Sequence, residues 1–297
     1  MHVEYTVISA PLYIGGPSED AVLVTPAGGG RPFFAVVVDG HGNETDVIGH
    51  WKNKSYVIAT FAGDVAVGLN VLFQQYPDPS CFPDQFDEVA QVLGSVYLPR
   101  IAEINKNRFL TVGAVATAIV VEETQIRLAQ TGDCRLYVSL PRWNRGFACL
   151  TQDHNVDHPD EIARLRSFLR SGQFNVFPNP SGNGLPPLPP GSVDRLYRSV
   201  NGRWVGGLEP TRTFGNWDYH PAVIHTPSCS TIQLAEFARG ELFALCSDGG
   251  NRIVESTLRH FQGRTQTVSL SEVHDYARSL LPQATDDVTI VFFRQTS

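Results

Sequence analysis

The feature of this sequence that most constrains its fold is a repeated junction between an apolar, strand-like segment and an aspartate beside glycine. The junction occurs in VVVDGHG at Asp39, in QTGD at Asp133 and in LCSDGG at Asp248. A fourth aspartate, Asp286, instead precedes an apolar segment, VTIVFF. Glycine allows the backbone to turn sharply where a strand ends, and the neighbouring carboxylate is then held on a rigid element. We therefore expect a sheet whose strand ends bring carboxylates together.

Apolar segments rich in Val, Ile and Phe recur along the chain and predict strands. They read PFFAVVV, GAVATAIVV, QIRLAQT, ELFALCS and VTIVFF. Only the polar turn 122–124 separates the second segment from the third, which favours an antiparallel hairpin over a parallel crossover. No internal repeat or low-complexity linker divides the chain, so residues 1–297 are predicted to form a single mixed α/β domain.

Two blocks of sequence predict helices. The first runs from about Asp46 to Lys106, and its prolines favour two or more helices over one: Pro77, Pro79 and Pro83. The second reads HPDEIARLRSFLRSG, with Pro159 suited to a first helical turn and Gly172 able to end the helix. This second block is predicted to be an amphipathic surface helix.

A loop-like stretch follows, from Gly172 to Ser192, with six prolines and four glycines. It is predicted to be a surface flap, within a flap subdomain of about residues 172–203, and flaps of this kind often border active sites. Its PPLPP segment could alternatively form a polyproline helix that an SH3-type domain would bind. The plain surface flap is the favoured interpretation.

Composition excludes several functional classes. The chain has 30 acidic against 23 basic residues, a net charge of −7, and no long basic run, which argues against nucleic acid as a partner. The apolar stretch FFAVVV is far shorter than the roughly 20 residues that span a bilayer, so a soluble protein is expected. No secretory signal is visible, which favours a cytoplasmic or nuclear location. The five cysteines form no C-x-x-C pair, which argues against a disulfide framework or thiolate zinc site.

The placement of the carboxylates predicts a metal site. One aspartate at a strand end is usually a turn or a cap, but four of them, with Glu19 and Asp20 just before the apolar AVLV, favour a bound cation. All of these ligands are oxygens, and no His/Cys cluster competes with them. Mg²⁺ or Mn²⁺ is therefore favoured over zinc.

Seven segments, taken in order, resemble the metal-dependent serine/threonine protein phosphatases of type 2C. They are SEDAVLV, VVVDGHGN, TAIVVEETQIRLAQTGDCRLYV, LTQDHNVDHPDEIARL, GGLEPTRTFGNWDYH, FALCSDGG and TDDVTIVFF. Each segment alone is a weak signal, whereas seven in the family's order, over nearly the entire chain, are strong. The resemblance implies a central antiparallel β-sandwich flanked by helices, with metal ions at one sheet edge.

The resemblance also implies the site residues and the reaction. Asp39 would bridge two divalent ions, Mn²⁺ or Mg²⁺, and the Gly40 carbonyl and Glu19 would act on one of them. The other ion would be bound by Asp248 and Asp286. Two such ions can activate a water for attack, so the implied activity is hydrolysis of phosphoserine and phosphothreonine in proteins. A phosphoprotein is the expected partner, and a monomer is the expected state.

Two histidines fall in these segments. His41 resembles the family's general acid, which protonates the serine or threonine oxygen as it leaves, and histidine has a suitable pKa range for this step. The alternative is a histidine that only hydrogen-bonds a carboxylate, and its position favours the acid. His154 is instead predicted to be structural.

The sequence also departs from the family pattern. Gly15 stands where family members carry a phosphate-gripping arginine, which leaves Arg31 or Arg252 as candidate phosphate ligands. Arg252 itself replaces an aspartate that, with Asp133, contributes to a third, weaker metal site in the family. Asn216 replaces an aspartate and Asp287 an asparagine, and both changes are expected to be tolerated. Gly15 and Arg252 favour the alternative function, a weak or inactive pseudophosphatase that serves as a binding scaffold.

Overall fold

The structure, a computed structural model, describes residues 1–12, 17–42, 51–104, 112–140, 146–177 and 194–296, without the side chains of residues 51–57, 100–104 and 205. Two antiparallel sheets form its centre. In spatial order, the six-stranded sheet contains β12 (Ser228–Gln233), β5 (Gln125–Thr131), β4 (Val112–Val121), β3 (Phe33–Gly42) and β2 (Ala21–Thr25), with β11 (Phe214–Gly215) also paired to β4. The five-stranded sheet contains β1 (Val3–Ala10), β14 (Val288–Gln295), β13 (Phe243–Cys246), β6 (Arg135–Ser139) and β7 (Phe147–Cys149).

Five helices accompany the sheets in the described part of the chain. They are α1 (Trp51–Gln75), α2 (Phe82–Ile104), α3 (Pro159–Arg170), α4 (Asn251–His260) and α5 (Leu270–Ser279). Both predicted helical blocks are confirmed: the first divides into α1 and α2 around its prolines, and the second is α3, with Pro159 in its first turn. The predicted hairpin is confirmed as well, since β4 pairs with β5 in antiparallel register.

Strand β3 shows why the sheets stack as a sandwich. Side chains alternate between the two faces of a strand. Phe33, Ala35 and Val37 therefore belong to the core between the two sheets, together with residues of β13 and β14. Phe34, Val36 and Val38, which alternate with them, pack against α1 and α2 on the outer face. Because both faces of β3 are covered, its sequence is a continuous apolar run.

A third hydrophobic cluster completes the layers. Helices α4 and α5 pack on the outer face of the five-stranded sheet through buried side chains such as Val254, Leu258 and Val273. The layers are therefore, in order, helices α1 and α2, the six-stranded sheet, the five-stranded sheet, and helices α4 and α5. The structure thus confirms the mixed α/β class with antiparallel sheets and flanking helices.

The predicted flap region contains a separate small sheet. Its strands are β8 (Phe174–Phe177), β9 (Arg195–Val200) and β10 (Arg203–Leu208). The predicted loop from Gly172 to Ser192 is therefore wrong for Phe174–Phe177, where Phe174 is buried against Tyr219. Pairing with β9, twenty residues later, creates this strand, and a local proline and glycine count does not reveal such a partner. The PPLPP segment lies outside the described residues.

Within the described residues, no helix is long and apolar enough to cross a membrane.

Candidate functional site

The register of the six-stranded sheet brings three acidic residues to one edge. Ala21 pairs with Val38, Val38 with Ala116, and Ala116 with Thr131. Asp20, Asp39 and Asp133 lie within two residues of this row, so they occupy the same end of three adjacent strands. Strand β3 continues beyond Asp39 as far as Gly42, where it pairs with β4 alone.

The five-stranded sheet contributes its own acidic residues at this end. Cys246 pairs with Ile290, and the Ser247 amide donates to the Thr289 carbonyl at 3.0 Å. Asp248 follows β13, whereas Asp286 precedes β14, so both lie where these two strands meet. The charge of Asp248 acts on Asp20, Asp39 and Asp133, which joins the two sheet edges into one carboxylate cluster.

Burial and mutual repulsion shift the pKa values of this cluster. Burial raises the pKa of Asp39 well above its ordinary value, and the charges of Asp20, Asp248 and Asp133 raise it further. Burial, followed by the charges of Asp248 and Asp153, does the same to the pKa of Asp133. The pKa of Asp286 rises to about 6, through burial and then the charge of Asp248. Repelling carboxylates held together on rigid strands favour a bound cation.

Asp20 is a member of this cluster, whereas the ligand set implied by the family resemblance contains only its neighbour Glu19. The Asp20 side chain is buried, and its pKa rises to about 8, chiefly through burial, although a hydrogen bond with Ser247 opposes the shift. Its second oxygen, Oδ2, is buried without a hydrogen-bond partner. The signal that could have identified it is its place directly before β2, matching the strand-end position of the other aspartates.

The chemistry of these residues would suit divalent cations. An all-oxygen set of carboxylates suits Mg²⁺ or Mn²⁺, and the unpaired Oδ2 of Asp20 is a buried acceptor that a cation would satisfy. No three of the described His, Cys, Asp and Glu side chains are gathered as the ligands of a single ion would be. The fit therefore rests on the donor chemistry and the coupling of the charges, and the individual ligand assignments remain predictions.

Glu19 and Gly40 meet at the start of this edge. A Cβ at position 40 would clash with the Glu19 carbonyl and approach Ile58 Cγ2 to 2.7 Å, so only glycine fits between them. The Glu19 amide donates to Asp287 Oδ2, while the Leu12 amide donates to Oδ1 of the same carboxylate. A carboxylate offers an acceptor to each amide, whereas an asparagine side chain has one oxygen. Asp287, which replaces the family's asparagine, thus ties two points of the N-terminal segment to β14.

His41 hydrogen-bonds an amide oxygen. Its Nε2 lies 2.7 Å from Asn216 Oδ1, which also accepts from Thr213 Oγ1 at 2.9 Å. Burial lowers the pKa of His41, and the hydrogen bond to Asn216 opposes this shift. A Cβ at Gly113 would approach His41 Nε2 to 2.5 Å and come closer still to Asn216, so the glycine makes room for the pair. The alternative that His41 only hydrogen-bonds a carboxylate does not match this partner.

His154 has a local structural role, as predicted. Its Nδ1 accepts from the Gly132 amide at 3.1 Å, and its own amide donates to the Gly132 carbonyl at 3.0 Å. Burial lowers the pKa of His154 to about 4, with the charge of Arg212 as the next cause, which keeps Nδ1 free to accept. The histidine therefore holds the turn that carries Asp133.

The structure places Arg31, a predicted phosphate ligand, away from the carboxylate cluster. Arg31 lies in the turn between β2 and β3, where it bridges to Gly28, at the opposite end of this hairpin from Asp20 and Asp39. The seven strand residues from Phe33 to Asp39 alone span roughly 20 Å. Sequence proximity suggested a neighbouring loop, and the direction of the hairpin places that loop at the far edge.

The other departures from the family pattern keep their status as predictions. Gly15 lies outside the described residues. Arg252 is exposed in the first turn of α4, four residues after Asp248. The cation whose charge lowers the pKa of Asp133, against the stronger effect of burial, is Arg135.

Comparisons with known proteins agree with this architecture. The family model described as "Protein phosphatase 2C" matches residues 66–172. No curated protein matches the chain. A serine/threonine phosphatase from Staphylococcus aureus has a similar structure, with 16% identity, a TM-score of 0.58, and coverage of 100% of this chain and 96% of the other.

Two further solved structures are similar. Serine-threonine phosphatase 2C from Toxoplasma gondii gives 16% identity and a TM-score of 0.61, covering 98% of this chain and 94% of the other. A sex determining protein of C. elegans gives 17% identity and a TM-score of 0.62. The match covers 99% of this chain but only 65% of the C. elegans protein. The resemblance seen in the sequence is confirmed: the chain has the fold of the type 2C serine/threonine phosphatases, and its residues 66–172 match that family.

Proposed function

We propose that this protein hydrolyses phosphoserine and phosphothreonine in proteins, in a reaction that depends on two divalent cations. The observation that carries the proposal is the cluster of coupled carboxylates at the shared edge of the two sheets, on a type 2C phosphatase fold. Asp39 lies at the centre of this cluster, and the charges of Asp20, Asp248 and Asp133 act on its carboxylate. Cations bound there would relieve this repulsion.

The residues of the chain have distinct tasks in this proposal. Asp39, Asp248 and Asp286 would hold Mn²⁺ or Mg²⁺, with the Gly40 carbonyl and Glu19 acting on the ion at Asp39, and Asp133 on a weaker third. When bound, such ions supply an activated water and neutralise the phosphoryl charge. We add Asp20 to this set, because its unpaired Oδ2 lies among the same charges.

His41 would deliver the proton to the leaving serine or threonine oxygen. Its Nε2–H donates to Asn216 Oδ1, so the transferred proton would come from Nδ1 of the doubly protonated ring. The hydrogen bond to Asn216 and the charge of Asp248 favour this charged form, against the effect of burial. General acid catalysis of this kind contributes about 10² to 10⁴ in rate. The phosphate ligand is unassigned, and Arg252 is favoured over Arg31, which lies at the far end of its hairpin.

The second candidate function is a binding scaffold with weak or no activity. Arg252 favours it, because an arginine replaces the aspartate of the weaker metal site and opposes a cation there. Against it, none of the aspartates that would hold the two principal ions is replaced. We therefore place the enzyme first.

One assay separates the two functions. Hydrolysis of p-nitrophenyl phosphate and of a phosphothreonine peptide is measured with Mn²⁺, Mg²⁺ or EDTA. We expect turnover with either metal and none with EDTA. Absence of turnover in the natural chain and in an Arg252→Asp variant would leave the scaffold as the function.

The metal ligands are tested separately by calorimetry. Asp39→Asn, Asp248→Asn and Asp286→Asn should each weaken Mn²⁺ binding, because each removes a charged oxygen ligand. Glu123→Gln, an exposed change in the turn between β4 and β5, is the matched control and should bind Mn²⁺ as the natural chain does. Unchanged affinity in all three aspartate variants would place the metal site elsewhere.

We also propose that residues 1–297 act as one monomeric domain. Support comes from β1 and β14, at the two ends of the chain, which pair over eight residues. Sedimentation at several concentrations would test the monomer, which a concentration-dependent mass would contradict.

A further inference from the structure

A cavity of about 1050 Å³ lies next to the carboxylate cluster, and the proposed chemistry does not use it. Strands β6 and β7 form one side, through residues such as Tyr137 and Phe147. His158 and Pro159, at the start of α3, line a second side of the cavity. Glu255 of α4 lines a third side. The cavity thus lies between the five-stranded sheet and the segment that leads into α3.

Hydrogen bonds tie the cavity wall to the edge that carries Asp133. The turn at Gly132 is bonded in both directions to His154, at 3.0 and 3.1 Å. Asp133 follows Gly132, whereas Asp153 and Asn155, on either side of His154, both line the cavity. The segment that lines the cavity is therefore bonded to the turn that carries Asp133, and the charge of Asp153 in the cavity wall acts on Asp133.

The lining has an excess of negative charge. Asp153 is compensated, because Arg135 donates to both of its oxygens, at 2.9 and 2.5 Å. Asp157 and Glu255 also line the cavity, and neither carboxylate forms an ion pair within the part of the chain that the structure describes. A nearby guanidinium, that of Arg259, lies over the ring of Phe147 at 5.5 Å. Two carboxylates in the wall are therefore left without an ionic partner.

Apolar side chains form part of the wall between these charges. Tyr137 and Phe147 are 1% and 8% exposed, and Ala148 lies beside them on β7. The Tyr137 hydroxyl is already engaged, since it accepts from Arg135 at 3.3 Å and lies 3.2 Å from Asn251 Oδ1. A ligand in the cavity would therefore contact apolar surface that is bordered by carboxylates.

We propose that this cavity binds a basic side chain, that of an arginine or lysine near the phosphorylated residue of the protein substrate. The inference rests on the proposed function and deepens it by naming a class of substrate. A basic side chain has an aliphatic stem that packs on apolar surface and a cationic end that meets carboxylates, here Asp157 and Glu255. An anionic side chain would meet two uncompensated negative charges. Three residues of extended peptide reach about 10 Å, so the basic residue is sought within three positions of the phosphorylated one.

The experiment compares phosphothreonine peptides that differ at one position. Arginine or glutamine is placed at each position from three residues before the phosphothreonine to three after it. KM is measured with Mn²⁺, and Kd for the same peptides is measured by fluorescence anisotropy with EDTA, which needs no turnover. The variant is Asp157→Asn with Glu255→Gln, and the control is Glu123→Gln with Glu236→Gln, which removes equal charge at the opposite end of the six-stranded sheet.

We expect arginine at one position to lower KM and Kd about fivefold relative to glutamine, since partly exposed ion pairs are individually weak. The preference should shrink at high salt, fall below about twofold in the cavity variant, and persist in the control. Hydrolysis of p-nitrophenyl phosphate, which cannot reach the cavity, should be unchanged in the cavity variant.

Two results would overturn the proposal. Equal KM and Kd for arginine and glutamine peptides at every position would show that the cavity does not select basic residues. An arginine preference that survives in the cavity variant would assign it to other residues. In either case, metal-dependent turnover of p-nitrophenyl phosphate would leave the proposed function standing. Its absence in the natural chain and in Arg252→Asp would reject that function, while the anisotropy measurements would still decide the role of the cavity.

Discussion

At the scale of single residues, Asn216 is the departure from the family pattern that the structure explains best. Its backbone is in the left-handed region, with φ of 46°, a conformation that asparagine tolerates better than most residues. Its Oδ1 accepts from Thr213, so the bond to His41 is made by Nε2–H. Asn216 therefore determines which nitrogen of His41 is free, and we regard it as a positioning residue.

Asn216→Gly tests this role, because glycine keeps the left-handed backbone without strain and removes only the side chain. We expect kcat to fall about tenfold or more for phenyl phosphate and less for p-nitrophenyl phosphate, whose better leaving group needs less help from an acid. In a His41→Ala background the same change should have little further effect. Equal losses on both substrates, or additive losses in the double variant, would contradict a role through His41.

At the scale of elements, α3 is anchored by a buried carboxylate. Glu161, in its first turn, is 1% exposed and accepts from Arg164 at 2.8 Å, from Arg212 at 2.6 Å and from Thr211 at 2.7 Å. Arg212 belongs to the segment that leads into β11 and Asn216. This cluster therefore fixes α3 to the chain that positions His41, and the arginine of the TRTFG segment has a structural partner.

Glu161→Gln should destabilise the fold by about 3 kcal/mol at neutral pH, because two arginines lose a buried partner. Burial raises the pKa of Glu161, but hydrogen bonds from Arg212, Thr211 and Arg164 lower it to about 2, below the 4.5 of an unfolded chain. The stabilisation is thus complete above about pH 4.5 and is lost as the pH falls towards 2. Urea unfolding at several pH values should show the difference between the two proteins shrink over this window. A difference independent of pH would contradict the ionic origin.

At the scale of the whole molecule, the two sheets hold like charges together at their shared edge. The strands next to Asp39 and Asp133 are paired on both sides for most of their length, and β2, next to Asp20, is paired along one side to β3, so the carboxylates cannot move far apart. Such an arrangement costs stability unless cations neutralise it. Metal binding and folding should therefore be linked.

Mn²⁺ should raise Tm, by an amount equivalent to about 2.7 kcal/mol at a hundred times its Kd, and EDTA should remove the gain. Asp39→Asn should have different effects on the unfolding temperature without and with metal. With EDTA it should unfold at the same or a higher temperature than the natural chain, because a repelling charge is gone, yet it should gain little from Mn²⁺. Calorimetric scans of both proteins, with and without metal, measure this. A variant that loses stability with EDTA and still responds fully to Mn²⁺ would contradict the linkage.

Much of this protein is determined by local sequence. Continuous apolar runs predict buried strands, the short turn 122–124 predicts a hairpin, and prolines divide the first helical block, because each signal acts through neighbouring residues. The aspartates at strand ends could be recognised in the same way. The flap prediction failed at Phe174–Phe177 because that strand depends on a partner twenty residues away.

Only the tertiary structure decided which groups meet at the site. Register and strand direction placed Asp20 within the cluster and Arg31 at the far end of its hairpin, although both lie in the same short stretch of sequence. The contact between His41 and Asn216 spans 175 residues, and the cavity combines residues of β6, β7, α3 and α4. Sequence patterns report the identity of residues and their local periodicity, whereas side chains distant in sequence are brought together by sheet pairing and the packing of the core.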